Sequence, residues 1–470
     1  MGIVIPMNDI TIENDSALTE FVAATAAEHD MPGMAVGIWA DGRVIFANTG
    51  VTSTENPVPV TEHTLFAIGS TSKTFTTTAL LRLVADGRVD LDAPVRTYVP
   101  ELTLLDERHA AAITVRQLLN HTAGLEWNII NNTGEGDDGL AAFVASLAEL
   151  PLIAAPGERP SYSQAGFNLL GRVIENVTGV PFEQVVAETV LAPVGLRESF
   201  YSRDEVMTRR FAAGHERQAD GQLAVARAWK GTRANNPGGG LGSTVSDLLR
   251  WGRFHLGDGH GEHGDTVLPA ELLDRMKQPT ARLRASAMAD AFGLCWMLRD
   301  VDGVRVVGHD GSGFGQFANF QLVPERNFAV VVLSNASPDG IPANQAVVRW
   351  ALRHYLGVVD ADPEPVAFDA GRAPELFGVY DIDAMTMTCY AEGEQLLLEC
   401  KVKPEIRAAA PEAEIPQDHP PFPFGLLPGD GDEYVITAGS FQGQRGFFSR
   451  DERGEITGID LAGRLFTRIA

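Results

Sequence analysis

The sequence GSTSK at residues 69–73 decides the interpretation of this chain, because it lies where a strand-like run, 65–68, meets a helical pattern. Apolar residues recur at helical spacing over 79–84. Residues three apart lie on one face of a helix, so the Ser70 hydroxyl and the Lys73 amine can meet. The N-terminus of a helix also offers free backbone N–H groups and a positive dipole end, which favour an alkoxide at Ser70.

A serine hydroxyl needs a base to become nucleophilic at neutral pH, and a partly desolvated lysine is one such base. Taken alone, the motif equally fits a helix cap followed by a solvated lysine. The chain's few lysines weigh against that alternative: they are Lys73, Lys230, Lys277, Lys401 and Lys403. Only Lys73 has a serine three positions before it. The pair Ser70 and Lys73 is therefore predicted to be a nucleophile and its base.

A second segment, SYSQAGFN at 161–168, places Tyr162 and Gln164 at a loop-to-helix junction. A phenol aimed into a cleft can relay a proton if a cation such as Lys73 lowers its pKa. A buried tyrosine that anchors the start of the helix is the structural alternative.

A third segment, His309-Asp310-Gly311, ends a strand-like run and precedes a glycine-rich stretch. Glycine allows close approach of a substrate, and the Ser312 amide can form an oxyanion hole with the amide of Ser70. His309 is then a polar wall rather than a proton carrier. A plain turn is the alternative for this segment.

The motifs at Ser70, Tyr162 and His309 resemble, in their order, the three motifs of serine β-lactamases and penicillin-binding proteins. The flanking segments 113–125 and 238–244 resemble the class C β-lactamase branch, which includes esterases, D-amino-acid peptidases and transacylases. This resemblance covers residues 15–357. The tail from residue 372 is similar to the lipocalin-like barrels that follow the catalytic domain in some members.

The resemblance implies an α/β domain joined to an all-α domain, with the active site between them and a covalent acyl-serine intermediate. Its implied catalytic residues are Ser70, Lys73 and Tyr162. The implied oxyanion and substrate-binding residues are Ser312, His309, Gly311 and Gln164. No metal or other cofactor is implied.

Two departures from the family pattern narrow the expected substrate. His309 replaces a lysine that helps to hold a substrate carboxylate, and Gln164 replaces an asparagine that bonds an amide of the acyl group. We therefore expect a serine hydrolase that is esterase-like rather than a true β-lactamase, acting on a small-molecule or peptide acyl substrate. The alternatives are an acyl transferase or peptide-cyclising thioesterase with the same acyl-enzyme, and a non-catalytic binding protein of this fold.

The order of strand-like and helical patterns predicts an antiparallel sheet built from both ends of a catalytic domain, with helices flanking it and a helical region inserted. The predicted strands of that sheet are 34–39, 43–47, 304–307, 317–323 and 328–333, and the helical region is about 90–300. The predicted domains are catalytic, 1–360; linker, 361–374; and a third domain, 375–470, with a long loop at 404–428. The short strand-like pieces of the third domain indicate a small antiparallel barrel or sandwich, and its resemblance to lipocalin-like domains implies the β-barrel.

Composition limits the partners. With 37 basic and 62 acidic residues the net charge is −25, which disfavours nucleic acid and anionic membranes. No apolar run is long enough to span a bilayer. Residues 1–9 carry no secretory pattern and the cysteines number only three, so the sequence predicts a cytoplasmic protein without a disulfide framework. It does not specify an oligomeric state.

Segments that resemble nucleotide-binding or metal-binding motifs do not match those motifs in full. Residues 69–74 resemble the end of a phosphate-binding loop, but Ser72 and Ala67 stand where that pattern needs glycines. Neither 238–242 nor 311–315 has complete dinucleotide-binding spacing in a strand-to-helix unit. The His-rich stretch 260–265 lacks helical ligand spacing and is predicted to be a surface loop. No cofactor is therefore expected.

Overall fold

The computed structural model describes residues 11–125, 132–218, 220–286, 288–382, 384–409, 420–439, 441–461 and 464–470. The strands are β1 (Thr11–Glu13), β2 (Gly33–Ala40), β3 (Arg43–Gly50), β4 (Phe66–Ala67), β5 (His215–Arg217), β6 (Leu223–Val225), β7 (Gly242–Ser243), β8 (Ala281–Arg282), β9 (Ala291–Phe292), β10 (Met297–Val301), β11 (Val304–Gly313), β12 (Gln316–Val323), β13 (Phe328–Ser334), β14 (Gly378–Asp381), β15 (Met385–Glu392), β16 (Gln395–Val402), β17 (Phe422–Leu426), β18 (Glu433–Ile436), β19 (Arg445–Arg450), β20 (Ile456–Leu461) and β21 (Arg464–Arg468).

The α-helices are α1 (Ser16–Glu28), α2 (Lys73–Ala85), α3 (Glu107–Ala112), α4 (Val115–Leu119), α5 (Gly139–Ala145), α6 (Gln164–Thr178), α7 (Phe182–Val186), α8 (Ala192–Val194), α9 (Arg203–Met207), α10 (Asn236–Gly239), α11 (Val245–Leu256), α12 (Ala270–Met276), α13 (Gly340–Leu356), α14 (Ala373–Leu376) and α15 (Pro404–Ala409). In the described part of the chain, no helix combines the length and the apolar character needed to cross a bilayer.

Among the described residues, nine strands form the main sheet in the order β1-β3-β2-β13-β12-β11-β10-β9-β8. The predicted hairpin is present as β2 and β3, joined by Asp41 and Gly42, both with positive φ, as a tight primed turn requires. The sheet thus combines strands from both ends of the domain, as predicted. It is mixed rather than wholly antiparallel, because the edge strand β1 pairs parallel to β3.

Both faces of the sheet are covered, which explains why every residue of β2 is buried. On one face, Val36 joins a core formed with α1 and α13. On the other face, Ala35 and Trp39 join a core that includes α2, α6 and α11. The helices between β4 and β10 therefore form a layer against this second face, and the Ser70 segment lies within that layer.

Strands β14 to β21 close an antiparallel barrel within the described residues, which confirms the antiparallel β-barrel predicted after the catalytic fold. Its core is separate and contains buried Tyr380 and Tyr434, whose hydroxyls donate to the carbonyls of Leu376 and Asp460. The prediction of one long loop over 404–428 was wrong. That range contains α15 and β17, while residues 410–419 lie outside the described residues, as do residues 1–10.

Candidate active site

Ser70 lies in a short 3-10 turn, Gly69–Ser72, between β4 and α2, as the sequence pattern predicts. The turn packs tightly on β11. Gly69 has a φ of +50°, and a Cβ there would lie 2.5 Å from the Ser312 nitrogen. A Cβ on Gly311 would lie 1.9 Å from the Ile68 carbonyl oxygen. Glycine at both positions is therefore what allows the strand to approach the Ser70 turn.

Lys73 is wholly buried, and its ammonium donates to three acceptors. Nζ lies 3.0 Å from Ser70 Oγ and 2.7 Å from the Gly238 carbonyl oxygen, and it also donates to Gln164 Oε1. Burial lowers the pKa of Lys73 well below its usual value, and the positive charge of Arg464 lowers it further. The amine is thus directed at the Ser70 hydroxyl and poised to lose its proton.

Gln164 has both ends of its side-chain amide engaged inside the protein. Oε1 accepts from Lys73, and Nε2 donates to Asn235 Oδ1 at 2.6 Å. The sequence placed Gln164 among the substrate-binding residues. In this structure its amide contacts Lys73 and Asn235, and its role in substrate binding stays a prediction.

Tyr162 immediately precedes the N-cap of α6, and its ring is 5.0 Å from Lys73 Nζ. Its hydroxyl is buried and makes no hydrogen bond within 3.5 Å to any described residue. Burial raises the pKa of the phenol, and the neighbouring Ser70 hydroxyl counters part of that rise. Tyr162 is therefore a neutral phenol beside both Ser70 and Lys73, in position to pass a proton between a substrate and these groups.

His309 is fully buried on β11, with its ring 6.2 Å from that of Tyr162. Its Nδ1 is 2.7 Å from the Asp310 carbonyl oxygen and must carry the proton, because a carbonyl only accepts. Burial lowers the pKa of His309 to about 3. The ring is consequently neutral, and its buried Nε2 is a hydrogen-bond acceptor with no partner among the described residues.

Strand β11 presents an open edge to the Ser70 turn. Its pairing with β10 ends at Gly308, whereas its pairing with β12 continues to Gly313. The Thr71 hydroxyl donates to the His309 carbonyl oxygen at 3.1 Å, which ties this edge to the turn. The backbone nitrogens of Ser70 and Ser312, expected to form the oxyanion hole, both lie at this junction.

Arg464, at the start of β21, brings a cation from the barrel into the site. Its guanidinium carbon is 5.7 Å from the centroid of the Tyr162 ring, and its charge lowers the pKa of Lys73. Sequence reasoning missed this residue, because no local motif surrounds it and no pattern indicates how the barrel docks.

Comparison with known proteins places the chain in a family. The family model described as Beta-lactamase matches residues 17–352. The chain belongs to the β-lactamase family. It is 33% identical over 315 residues to penicillin-binding protein 4 of Amycolatopsis lactamdurans. The aligned residues cover 66% of this chain and 83% of that relative. The chain is 25% identical to Protein flp of Staphylococcus aureus over 336 residues, covering 68% of this chain and 63% of that protein.

Solved structures show the same fold for the whole β-lactamase-family chain, barrel included. SurE matches with a TM-score of 0.73 and 24% identity over 97% of this chain and 99% of SurE. A class C β-lactamase from Rhodobacter sphaeroides matches with a TM-score of 0.60 and 24% identity over 72% of this chain and all of that chain. Both the resemblance drawn from the three motifs and the predicted two-part fold are thereby confirmed.

Proposed function

We propose that this protein is a serine enzyme that cleaves ester or amide substrates through an acyl-Ser70 intermediate. The observation that carries the proposal is the contact of a buried lysine with the serine hydroxyl, with 3.0 Å between Lys73 Nζ and Ser70 Oγ. A lysine whose pKa is lowered by burial is a suitable base for a serine nucleophile.

In the proposed mechanism, Ser70 Oγ attacks the substrate carbonyl and its proton passes to neutral Lys73. The backbone N–H groups of Ser70 and Ser312 stabilise the oxyanion. Tyr162 then delivers a proton to the leaving oxygen or nitrogen, which departs and leaves the acyl group on Ser70, and Lys73 passes the proton it took from Ser70 to the phenolate. In the second half, water attacks the acyl carbonyl and loses a proton to neutral Lys73. The bond between the acyl carbon and Ser70 Oγ then breaks, Lys73 returns that proton to Ser70 Oγ, and the acid is released.

The preferred substrate carries a carboxylate near the scissile bond. His309 is neutral and cannot replace the missing lysine as a cation, but Arg464 supplies a positive charge beside Tyr162 from the barrel. A guanidinium suits a carboxylate because it offers paired N–H donors. The structure of SurE with D-Leu, a neighbour of the same fold, is in keeping with a peptide-like substrate. The absence of lysine at position 309 therefore does not by itself argue against carboxylate-bearing substrates.

Acyl transfer is the second candidate function, and the position of Arg464 favours it. A carboxylate held beside the Tyr162 phenol would place the amine of an amino acid or peptide near the group that handles the leaving-group proton. The same phenol would relay the proton of that amine as the amine attacks acyl-Ser70, by accepting it while it gives its own proton to neutral Lys73. Hydrolysis and transfer then share every residue and differ only in the acceptor.

A fluorophosphonate probe tests the proposal directly. We expect intact wild-type protein to gain the mass of one phosphonyl group, mapped by peptide mass spectrometry to Ser70, and Ser70→Ala to gain none. A folded wild-type protein that remains unlabelled, or one that is labelled elsewhere, would overturn the proposal and favour a binding protein.

Product analysis then separates the two functions. Esters, D-peptides and a chromogenic cephalosporin are incubated with the enzyme, with and without added amino acids or peptides as acceptors. Aminolysis products that increase with acceptor concentration support transfer, whereas exclusive hydrolysis at high acceptor concentration supports a hydrolase.

A further inference from the structure

His121 contacts the Tyr162 segment at three points, and the proposed mechanism does not yet use it. Its carbonyl oxygen accepts from the Ser161 amide at 2.8 Å, and its ring Nδ1 accepts from the Ser163 amide at 3.1 Å. Its ring also lies against the Tyr162 ring, with 4.4 Å between centroids. The residues on both sides of Tyr162 and the phenol ring itself are thus all held by one residue.

The contacts require one tautomer of His121. The Ser163 amide donates to Nδ1, so the ring proton is on Nε2. Burial lowers the pKa of His121 well below its usual value, and the charge of protonated Lys73 opposes protonation of the ring as well. The ring is therefore neutral and keeps Nδ1 available as an acceptor.

Packing alone does not explain a histidine at this position. The ring is enclosed by Phe167 and Phe292, at centroid distances of 5.3 Å and 4.9 Å, so a phenylalanine would suit the surroundings. The Nε2 atom is buried and has no hydrogen-bond partner in the described part of the chain. Leaving such a group unsatisfied costs about 1–3 kcal/mol. What histidine adds is the acceptor for the Ser163 amide.

We propose that His121 is a positioning residue that fixes the Tyr162 phenol against Ser70 by holding the backbone on both sides of it. The proposal rests on the acyl-Ser70 function given above. His121 touches neither the substrate nor the reacting atoms, and it acts through the placement of Tyr162. A shift of about 1 Å in a catalytic group is enough to slow a reaction about 100-fold.

Two substitutions separate the acceptor from the ring. His121→Phe keeps an aromatic ring and removes the acceptor, and we expect kcat to fall about 100-fold with little change in KM. His121→Asn removes the ring but offers Oδ1 to the Ser163 amide, and asparagine accepts the left-handed backbone of residue 121, where φ is +59°. The fall in kcat caused by His121→Asn is expected to be about tenfold smaller than the fall caused by His121→Phe. Thermal unfolding of each variant confirms that it is folded.

A double-mutant cycle with Tyr162→Phe decides whether His121 acts through the phenol. The rate of fluorophosphonate labelling at Ser70 is measured for both single variants and for the double variant. If His121 only positions the phenol, His121→Phe has no further effect once Tyr162→Phe has removed the hydroxyl.

The outcomes are distinct. If His121→Phe lowers the labelling rate equally in the wild-type and Tyr162→Phe backgrounds, or if it leaves kcat at the wild-type value, the positioning role of His121 is overturned while the proposed function stands. Failure of the wild-type protein to label at Ser70 would reject the proposed function and this inference together.

Discussion

At the scale of single residues, the site depends on opposing effects at Lys73. Three acceptors surround its Nζ and favour the ammonium form, while complete burial favours the neutral amine. Burial prevails and the pKa is lowered, which is what a general base requires at neutral pH. The acceptors then serve mainly to aim the amine at Ser70.

The pH dependence of acylation follows from the lowered pKa of Lys73. Lys73 is the base only when neutral, so kcat/KM for an ester should rise with pH as Lys73 loses its proton, with a midpoint well below 10.5. Lys73→Arg stays protonated throughout this range and should lower kcat/KM by about 100-fold to 10,000-fold. Steady-state rates between pH 5 and pH 10 provide the measurement.

Lys277 is the matched control for that substitution. It is also a largely buried lysine, and its Nζ donates to the His255 carbonyl oxygen at 2.7 Å, away from Ser70. Lys277→Arg should keep both the rate and the profile of the wild type. An active Lys73→Arg enzyme, or a rate that does not change with pH, would contradict the assignment of Lys73 as the base.

At the scale of elements, the contact between β11 and the Ser70 turn brings the backbone nitrogens of Ser70 and Ser312, the proposed oxyanion hole, to one place. Gly311→Ala would place a Cβ 1.9 Å from the Ile68 carbonyl oxygen and 2.9 Å from the Ser70 nitrogen. The strand must then move away, and we expect the acylation rate to fall by about 100-fold or more. The rate of fluorophosphonate labelling and the midpoint of thermal unfolding are measured together.

Gly313→Ala is a control on the same strand, because a Cβ at this position meets no atom within 4 Å. It should label at the wild-type rate. The role of this contact is contradicted if Gly311→Ala labels as fast as Gly313→Ala, or if both variants lose activity equally.

The sequence predicts those elements that are determined by residues close together in the chain. The β2–β3 hairpin and the Ser70 turn depend on neighbouring residues, so their sequence signals suffice. Strand β17 was missed because Pro423 lies inside it, and a proline normally argues against a paired strand. The engagement of Gln164 by Lys73 and Asn235 also depends on distant segments, which no local spacing encodes.

At the scale of the whole molecule, the barrel is docked beside the catalytic site by polar and apolar contacts. Arg284 pairs with Glu433 at 3.3 Å, and Arg445 donates to the Ser286 carbonyl oxygen at 2.9 Å. The Met288 side chain packs against both the barrel core and the small cluster that contains Tyr162. The barrel therefore lies against the cluster that contains Tyr162.

Arg464 gives this arrangement a measurable consequence. Arg464→Gln removes a cation that lowers the pKa of Lys73, so the pKa of Lys73 should rise. The acid limb of the pH profile, where kcat/KM rises as Lys73 loses its proton, should therefore move to higher pH. The substitution should also raise KM for a carboxylate-bearing ester by about 10-fold to 100-fold, since hydrogen bonds to charged groups contribute about 1.5–3 kcal/mol. For a neutral ester of the same acyl group, KM should change by only a few fold, so the comparison of the two esters isolates carboxylate recognition.

Arg453→Gln is the control: this residue lies in an exposed turn of the same barrel, and the variant should match the wild type on both esters. Equal effects of Arg464→Gln on the two esters would show that the guanidinium does not recognise a carboxylate, and an unmoved acid limb would show that its charge does not act on Lys73.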